Sequence, residues 1–186
     1  MSGYIGGSWY ALYVRSRREK NVHTLLEAKQ HEAFLPLFHS RHKWADRWKT
    51  VSLPLFPGYV FCRFEPESRP CVLATSGIID VVRLGSEPAP IDPTEMLAIQ
   101  RIASSPLMTE PYAGLIKGCQ VSMRGGPLSG VTGTLLEVQK RCRLVVSIEL
   151  LGRSVLVEID RDWAVPTQNH AMLSPAWTQD RMEFRG

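Results

Sequence analysis

The segment from Lys117 to Pro166, "KGCQVSMRGGPLSGVTGTLLEVQKRCRLVVSIELLGRSVLVEIDRDWAVP", has no helical period. Apolar residues alternate instead, as at Val155, Val157 and Ile159. Alternation with period two puts successive side chains on opposite faces of a strand. Glycines at 118, 125, 126, 130, 133 and 152 punctuate the run at the intervals of short strands and tight turns. The pattern predicts a small all-β barrel over residues 115–166. At 186 residues, the chain has room for a second small unit before it.

That first part mixes the two periods. "WYALYVRS" (Trp9 to Ser16) reads as a strand. Ser16 and Glu19 have capping-box spacing, and Val22, Leu25, Leu26 and Lys29 follow at helical spacing, which predicts a helix with Arg17, Arg18 and Lys20 facing outward. "AFLPLF", the basic stretch "HSRHKWADRWKT" and the apolar pattern resuming at Val51 predict an extended hairpin with a charged tip. Ser68 to Gly77 suits a short helix stopped by Gly77, and "IIDVVRLG" suits a strand. Asp92, Pro93 and Glu95 open a further helix. The expected fold class is α+β: an antiparallel sheet flanked by helices over residues 8–104, then the barrel. Residues 105–114, with two prolines and no period, read as a linker, and 167–186 as a disordered tail.

Charge is uneven. From Arg15 to Lys49, nine Lys/Arg stand against four Asp/Glu, a balance of +5, whereas Phe64 to Gly114 carries three against seven, a balance of −4. A basic edge of this kind is the electrostatic footprint of a nucleic-acid partner, and also an ordinary solvated surface. Trp44 and Trp48 stand among Lys43, Arg47 and Lys49, where they could stack on unpaired bases or touch protein. No apolar run reaches the eighteen or so residues of a membrane span, and the N-terminus has no basic-then-apolar signal pattern, so the expectation is a cytoplasmic protein without membrane contact. Cys62, Cys71, Cys119 and Cys142 have no C-x-x-C spacing, so reduced and mostly buried thiols are expected, with no metal and no cofactor. Phosphate-loop, serine-hydrolase and zinc-protease motifs are all missing from the sequence, which makes catalysis the weaker class.

"LPLFPGYVFCRF" (Leu53 to Phe64) packs four aromatic residues around a Pro-Gly corner. Tyr59 and Phe61 share one face of a strand, and the corner at Pro57-Gly58 lets Phe56 join them. Phe64 suits the core. Such a ring cluster suits a docking surface for a helical partner.

"GCQVSMRGGPLSGVTGTLLEV" has the glycine and proline register of the KOW motif. With Trp9-Tyr10, "FPGYVF", "SGIIDVVRLG" and "PAPIDPTEMLAI" before it in order, the chain resembles the NusG family, with an NGN domain followed by a KOW domain, over about Trp9 to Pro166. "PLFPGYVFCRFEPE" and the basic hairpin are more similar to the specialised RfaH/UpxY-type antiterminators. The resemblance implies a monomeric, non-enzymatic transcription factor that binds the β′ clamp helices of RNA polymerase and suppresses pausing or termination. It implies polymerase contacts at Trp9, Phe56, Tyr59 and Phe61, and an approach to non-template DNA at Arg15, to which helical geometry adds Arg18. In the KOW domain, Leu128, Val131, Leu150 and Leu151 match positions that meet Rho or a small-subunit ribosomal protein. They are apolar rather than aromatic, which leaves Rho binding open. The barrel's alternating pattern argues against a helical state of that domain. The alternatives are a general elongation and Rho-dependent termination factor, a ribosome-associated KOW nucleic-acid-binding protein, and a thiol enzyme.

Overall fold

The computed structural model describes residues 7–44, 47–113, 118–138 and 141–167. The expected tail, from residue 168 on, and the side chains of Lys43 and Trp44 lie outside the described residues. The first part runs β1 (Ser8–Val14), α1 (Glu19–Ala28), β2 (Glu32–Phe34), β3 (Leu37–Trp44), β4 (Arg47–Pro54), β5 (Tyr59–Phe64), α2 (Arg69–Leu73), β6 (Ile78–Val81), β7 (Arg83–Leu84), β8 (Glu87–Pro88) and α3 (Pro93–Ser104). The second runs β9 (Thr109–Tyr112), β10 (Cys119–Met123), β11 (Thr132–Val138), β12 (Arg141–Ile148), β13 (Arg153–Ile159) and β14 (Ala164–Pro166).

β2, β5, β1 and β6 form one antiparallel sheet in that order. β1 and β5 pair with Ala11 opposite Phe61 and Tyr13 opposite Tyr59. Strand alternation therefore sorts their side chains into two sets. Tyr10, Leu12, Val14, Val60, Cys62 and Phe64 face one way and are sealed by Val22 and Leu26 of α1 and Val72 of α2. Phe64, as expected, is core, stacked on Tyr10 with ring centroids 4.5 Å apart. Trp9, Ala11, Tyr13, Tyr59 and Phe61 belong to the opposite face.

α3 starts as its sequence predicts: the Asp92 carboxylate accepts from the Thr94 N–H at 2.7 Å and the Glu95 N–H at 3.3 Å. The start of α1 departs from expectation. Arg18 occupies the cap position without a side-chain cap, Arg17 adopts φ 62°, and Glu19 is the first helical residue. The capping box does not form; the Glu19 carboxylate instead accepts from the backbone N–H of Gly58 at 2.9 Å. Arg17 and Arg18 consequently precede the helix rather than lining its outer face. α2 ends at Leu73, so Gly77 is not its stop; with φ 99° it serves the turn into β6. "IIDVVRLG" divides at Val82 into β6 and a separate β7–β8 hairpin, and the Val82 N–H donates to Ala11 O of β1 at 2.8 Å. Pro36 likewise splits "AFLPLF" between β2 and β3, since proline has no ladder donor.

The second part is an antiparallel sheet of six strands in the order β14-β10-β11-β12-β13-β9, and its described residues contain no α-helix. The expected linker is partly strand: β9 pairs with β13, Thr109 opposite Val157 and Tyr112 opposite Ser154. An edge strand tolerates Pro111 because only one side of it pairs. The Gly125-Gly126 corner holds Trp163 closely. A Cβ at Gly126, which has φ 67°, would lie 2.5 Å from the indole Cε3.

The two parts share one apolar core. Phe56 and Phe61 belong to a continuous buried cluster with Ile99 and Ile102 of α3 and with Leu128, Val146 and Ile148 of the second sheet. Two polar links span the same junction. Arg101 Nη1 donates to Ser129 O, and the Glu149 N–H donates to Glu95 Oε1 at 3.2 Å.

Candidate docking face

The rings expected to make a docking surface lie together on the sheet face that α1 and α2 leave uncovered. Trp9 meets Phe34 edge-on at 6.4 Å between centroids, Phe34 meets Phe61 at 6.3 Å, and Phe61 meets Phe56 edge-on at 5.5 Å. Tyr13 and Tyr59, opposite each other across the strand pair, are 5.8 Å apart. The Pro57-Gly58 corner brings Phe56 into this row: Gly58 takes φ 87°, its N–H donates to Glu19 Oε1 at 2.9 Å, and its carbonyl accepts from the Val14 N–H at 2.9 Å. Glycine is the residue for which such a φ carries no steric cost.

The four residues expected to contact polymerase are not all at the surface. Phe56 and Phe61 are 1% and 0% exposed. Trp9 and Tyr59 are half-buried and pack against the same cluster. Alternation determines which side chains share a face, but not what covers it. Here the cover is α3 and the second sheet, joined to the rings in one core. The uncovered end of the face is Tyr13, 47% exposed, beside Tyr59. It opens on a groove of about 550 Å³ lined by Tyr13, Glu19, Pro57, Gly58, Tyr59 and, from the second sheet, Arg153. Tyr13 and Phe34 were missed in the sequence; register across β1, β5 and β2 is the signal that finds them, with Tyr13 opposite Tyr59 and Phe34 opposite Phe61.

The four apolar residues expected to meet a partner from the second sheet are also drawn inward. Leu128 and Val131 are buried, and Leu150 and Leu151 are half-buried against the shared core. All four belong to, or pack against, the cluster that joins the two parts. Arg15 and Arg18 are exposed next to each other where β1 hands over to α1, and the Arg18 N–H donates to Arg15 O at 3.0 Å. Their side chains are available to an anionic partner.

Burial, reinforced by the negative charge of Glu32, pushes the Cys62 thiol up to about 12. Cys142 is also buried, whereas Cys119 is half-buried and Cys71 exposed, so the thiols are less uniformly interior than expected. At the junction, burial raises the Glu95 carboxyl above its ordinary value, the charges of Glu149 and Asp92 add to that, and the bond from the Glu149 N–H opposes it. Among the described residues no group of three or more His, Cys, Asp or Glu is placed to hold a metal ion, and no helix is long and apolar enough to cross a membrane.

Comparison with known proteins adds to this geometry. The family model described as transcription termination factor nusG matches residues 7–100, just over half of the chain. The transcription termination/antitermination protein NusG of Thermus thermophilus is 27% identical over 173 residues, covering 82% of this chain and 94% of its own. NusG of Halalkalibacterium halodurans is 27% identical over 168 residues, with the same two coverages. A solved structure described as domain interaction in Thermotoga maritima NusG superposes with a TM-score of 0.56 at 22% identity, covering 89% of this chain and 100% of that one. The fold is thus that of a sheet-and-helix domain followed by a strand-rich one, and the chain belongs to the NusG family.

Proposed function

We propose that this protein is a transcription elongation factor that binds RNA polymerase by laying the Trp9–Phe34–Phe61–Phe56 face, with Tyr13 and Tyr59 at its open end, against the paired clamp helices of the β′ subunit. The observation that carries this reading is the row of rings on the single sheet face that its own domain's first two helices do not seal. A large, pre-positioned aromatic surface is what a helical hairpin needs as a groove, and aromatic anchors commonly lose 2 kcal/mol or more of binding, roughly, when truncated. The protein catalyses nothing in this scheme. By binding one clamp state more tightly it shifts the polymerase toward that state, which suppresses pausing or termination. The family's named relatives are termination/antitermination proteins, which supports a role in elongation and termination at large. The specialised antiterminator is the finer reading, supported by the basic hairpin.

The second sheet and α3 pack against that face, so on this reading the partner must displace the second sheet to reach it. The same displacement would release Leu128, Val131, Leu150 and Leu151 for Rho or a ribosomal protein. Arg15 and Arg18, exposed beside the sheet, would then face the displaced DNA strand. Retention of the full chain on immobilised clamp coiled coil, compared with Tyr59→Ala and Trp9→Ala, tests the proposal. Both substitutions should weaken retention about tenfold or more; equal retention of all three proteins refutes the docking face.

A further inference from the structure

The chain passes from the first part to the second without slack. It leaves α3 at Ser105, whose Oγ donates to Ile102 O at 2.8 Å and whose N–H donates to the same carbonyl at 3.1 Å. Two residues on, Leu107 packs against the shared core, and its N–H donates to Ser105 Oγ at 3.4 Å. Met108 is already on the second sheet, its carbonyl accepting from the Glu158 N–H at 3.0 Å. β9 follows at once. Only residues 105–108 separate α3 from β9. Fully extended, those four residues span no more than about 14 Å.

β9 itself is held by its backbone. None of Thr109, Glu110, Pro111 and Tyr112 is buried, whereas the facing strand β13 buries Val155, Leu156 and Val157. Little apolar area fixes β9, so its hold is the hydrogen-bond ladder. The register identifies the donors that count. Glu158 and Met108 form a hydrogen-bonded pair, and such pairs alternate along an antiparallel ladder. Glu110 opposite Leu156 and Tyr112 opposite Ser154 are then bonding pairs, and Thr109 and Pro111 stand at non-bonding positions. Pro111, which has no N–H, thus stands where no donor is needed. Outside the ladder, Glu110 Oε1 lies 3.4 Å from Arg143 Nη1 of β12, a partly exposed ion pair of small effect.

Two features couple β9 to the junction. Leu107, at its entry, packs against the apolar cluster that joins the two parts. The short run before β9 also ties α3 to the second sheet, alongside the Arg101–Ser129 and Glu149–Glu95 bonds. An element with few buried side chains opens at low free energy, together with the unit it packs in. We propose that β9 is a releasable latch, paired with β13 while the second sheet lies against α3 and peeled from β13 when the two parts separate. Release lengthens the free tether from residues 105–108 to residues 105–112, and its reach to about 28 Å. The latch is internal to the chain, so it works whatever partner the aromatic face takes.

Spin labels on exposed Cys71 and on Thr132→Cys, in a full chain carrying Cys119→Ser, report the distance between the parts by pulsed electron resonance. This parent should give one narrow distribution. Glu110→Pro removes a ladder donor and should raise the ratio of separated to joined chains about fivefold, adding a broad component at longer distance. Thr109→Pro, at a non-bonding position, and Glu110→Ala, which loses only the ion pair, should keep the narrow distribution. Amide exchange of the unsubstituted chain is a second measurement that needs no tolerated proline. The Glu110 and Tyr112 amides should be protected to the same degree as the junction amide of Glu149, and roughly tenfold less than those pairing β12 with β13. The latch is overturned if Glu110→Pro keeps the narrow distribution, if the parent is as broad as Glu110→Pro, or if Thr109→Pro opens the chain equally. It is also overturned if the β9 amides are protected like those of β12 and β13 while Glu149 exchanges faster.

Discussion

Glu19 and Gly58, 39 residues apart, are joined by a hydrogen bond of 2.9 Å from the glycine N–H to the glutamate carboxylate. The bond ties the first turn of α1 to the Pro-Gly corner that seats Phe56, and Glu19 is buried as it does so. Glu19→Ala would leave the Gly58 N–H without its partner in a part-buried setting. A loss of about 1–3 kcal/mol is expected. Glu19→Gln keeps an acceptor oxygen and should recover most of it. Urea unfolding followed by circular dichroism measures both, and an unchanged midpoint for Glu19→Ala would show that the corner holds without this bond.

Cys62 and Cys71 should differ in reactivity. At neutral pH, alkylation of the native chain should modify exposed Cys71 first and leave buried Cys62 untouched until unfolding. The pH dependence has a definite sign. Below the ordinary thiol value of 9.0, Cys62 is protonated in both folded and unfolded chains; between there and about 12, only the folded chain keeps the proton. Stability therefore falls as pH rises through that window, by up to about 1.4 kcal/mol per pH unit from this group. Cys62→Ala should show a shallower fall across pH 9 than the wild type, whatever its absolute stability. Parallel curves would mean that the thiol ionises as easily in the folded chain.

Arg101 and Ser129 connect α3 to the second sheet directly. If the closed arrangement competes with partner binding, Arg101→Ala should raise the open fraction and lower the apparent Kd for the clamp coiled coil. One hydrogen bond of about 1 kcal/mol corresponds to roughly fivefold. Titration calorimetry reads this directly. Unchanged affinity would mean that the chain is already open in solution.

Legibility in the sequence followed locality. The Asp92 cap, the Pro57-Gly58 corner and the shared face of Tyr59 and Phe61 depend on residues a few positions apart, and each was readable. Ser16 and Glu19 have the right spacing for a cap, but the Glu19 carboxylate bonds the N–H of Gly58 instead, which no local pattern reveals. β9 escaped notice because an edge strand is decided by the open backbone of its neighbour β13, while Pro106 and Pro111 gave its own segment the look of a linker. The burial of Phe56, Phe61, Leu128 and Val131 is least local of all. All four belong to one cluster whose members come from helices and strands far apart in the chain.

The most direct measurement is photocrosslinking from position 59. With p-benzoylphenylalanine in place of Tyr59, an aromatic ring is retained at the open end of the docking face, and irradiation with purified RNA polymerase marks whatever lies against it. An adduct mapping to the β′ clamp coiled coil is the predicted result. An adduct of similar yield on another surface of the polymerase, with none on the coiled coil, would contradict the assignment of this face.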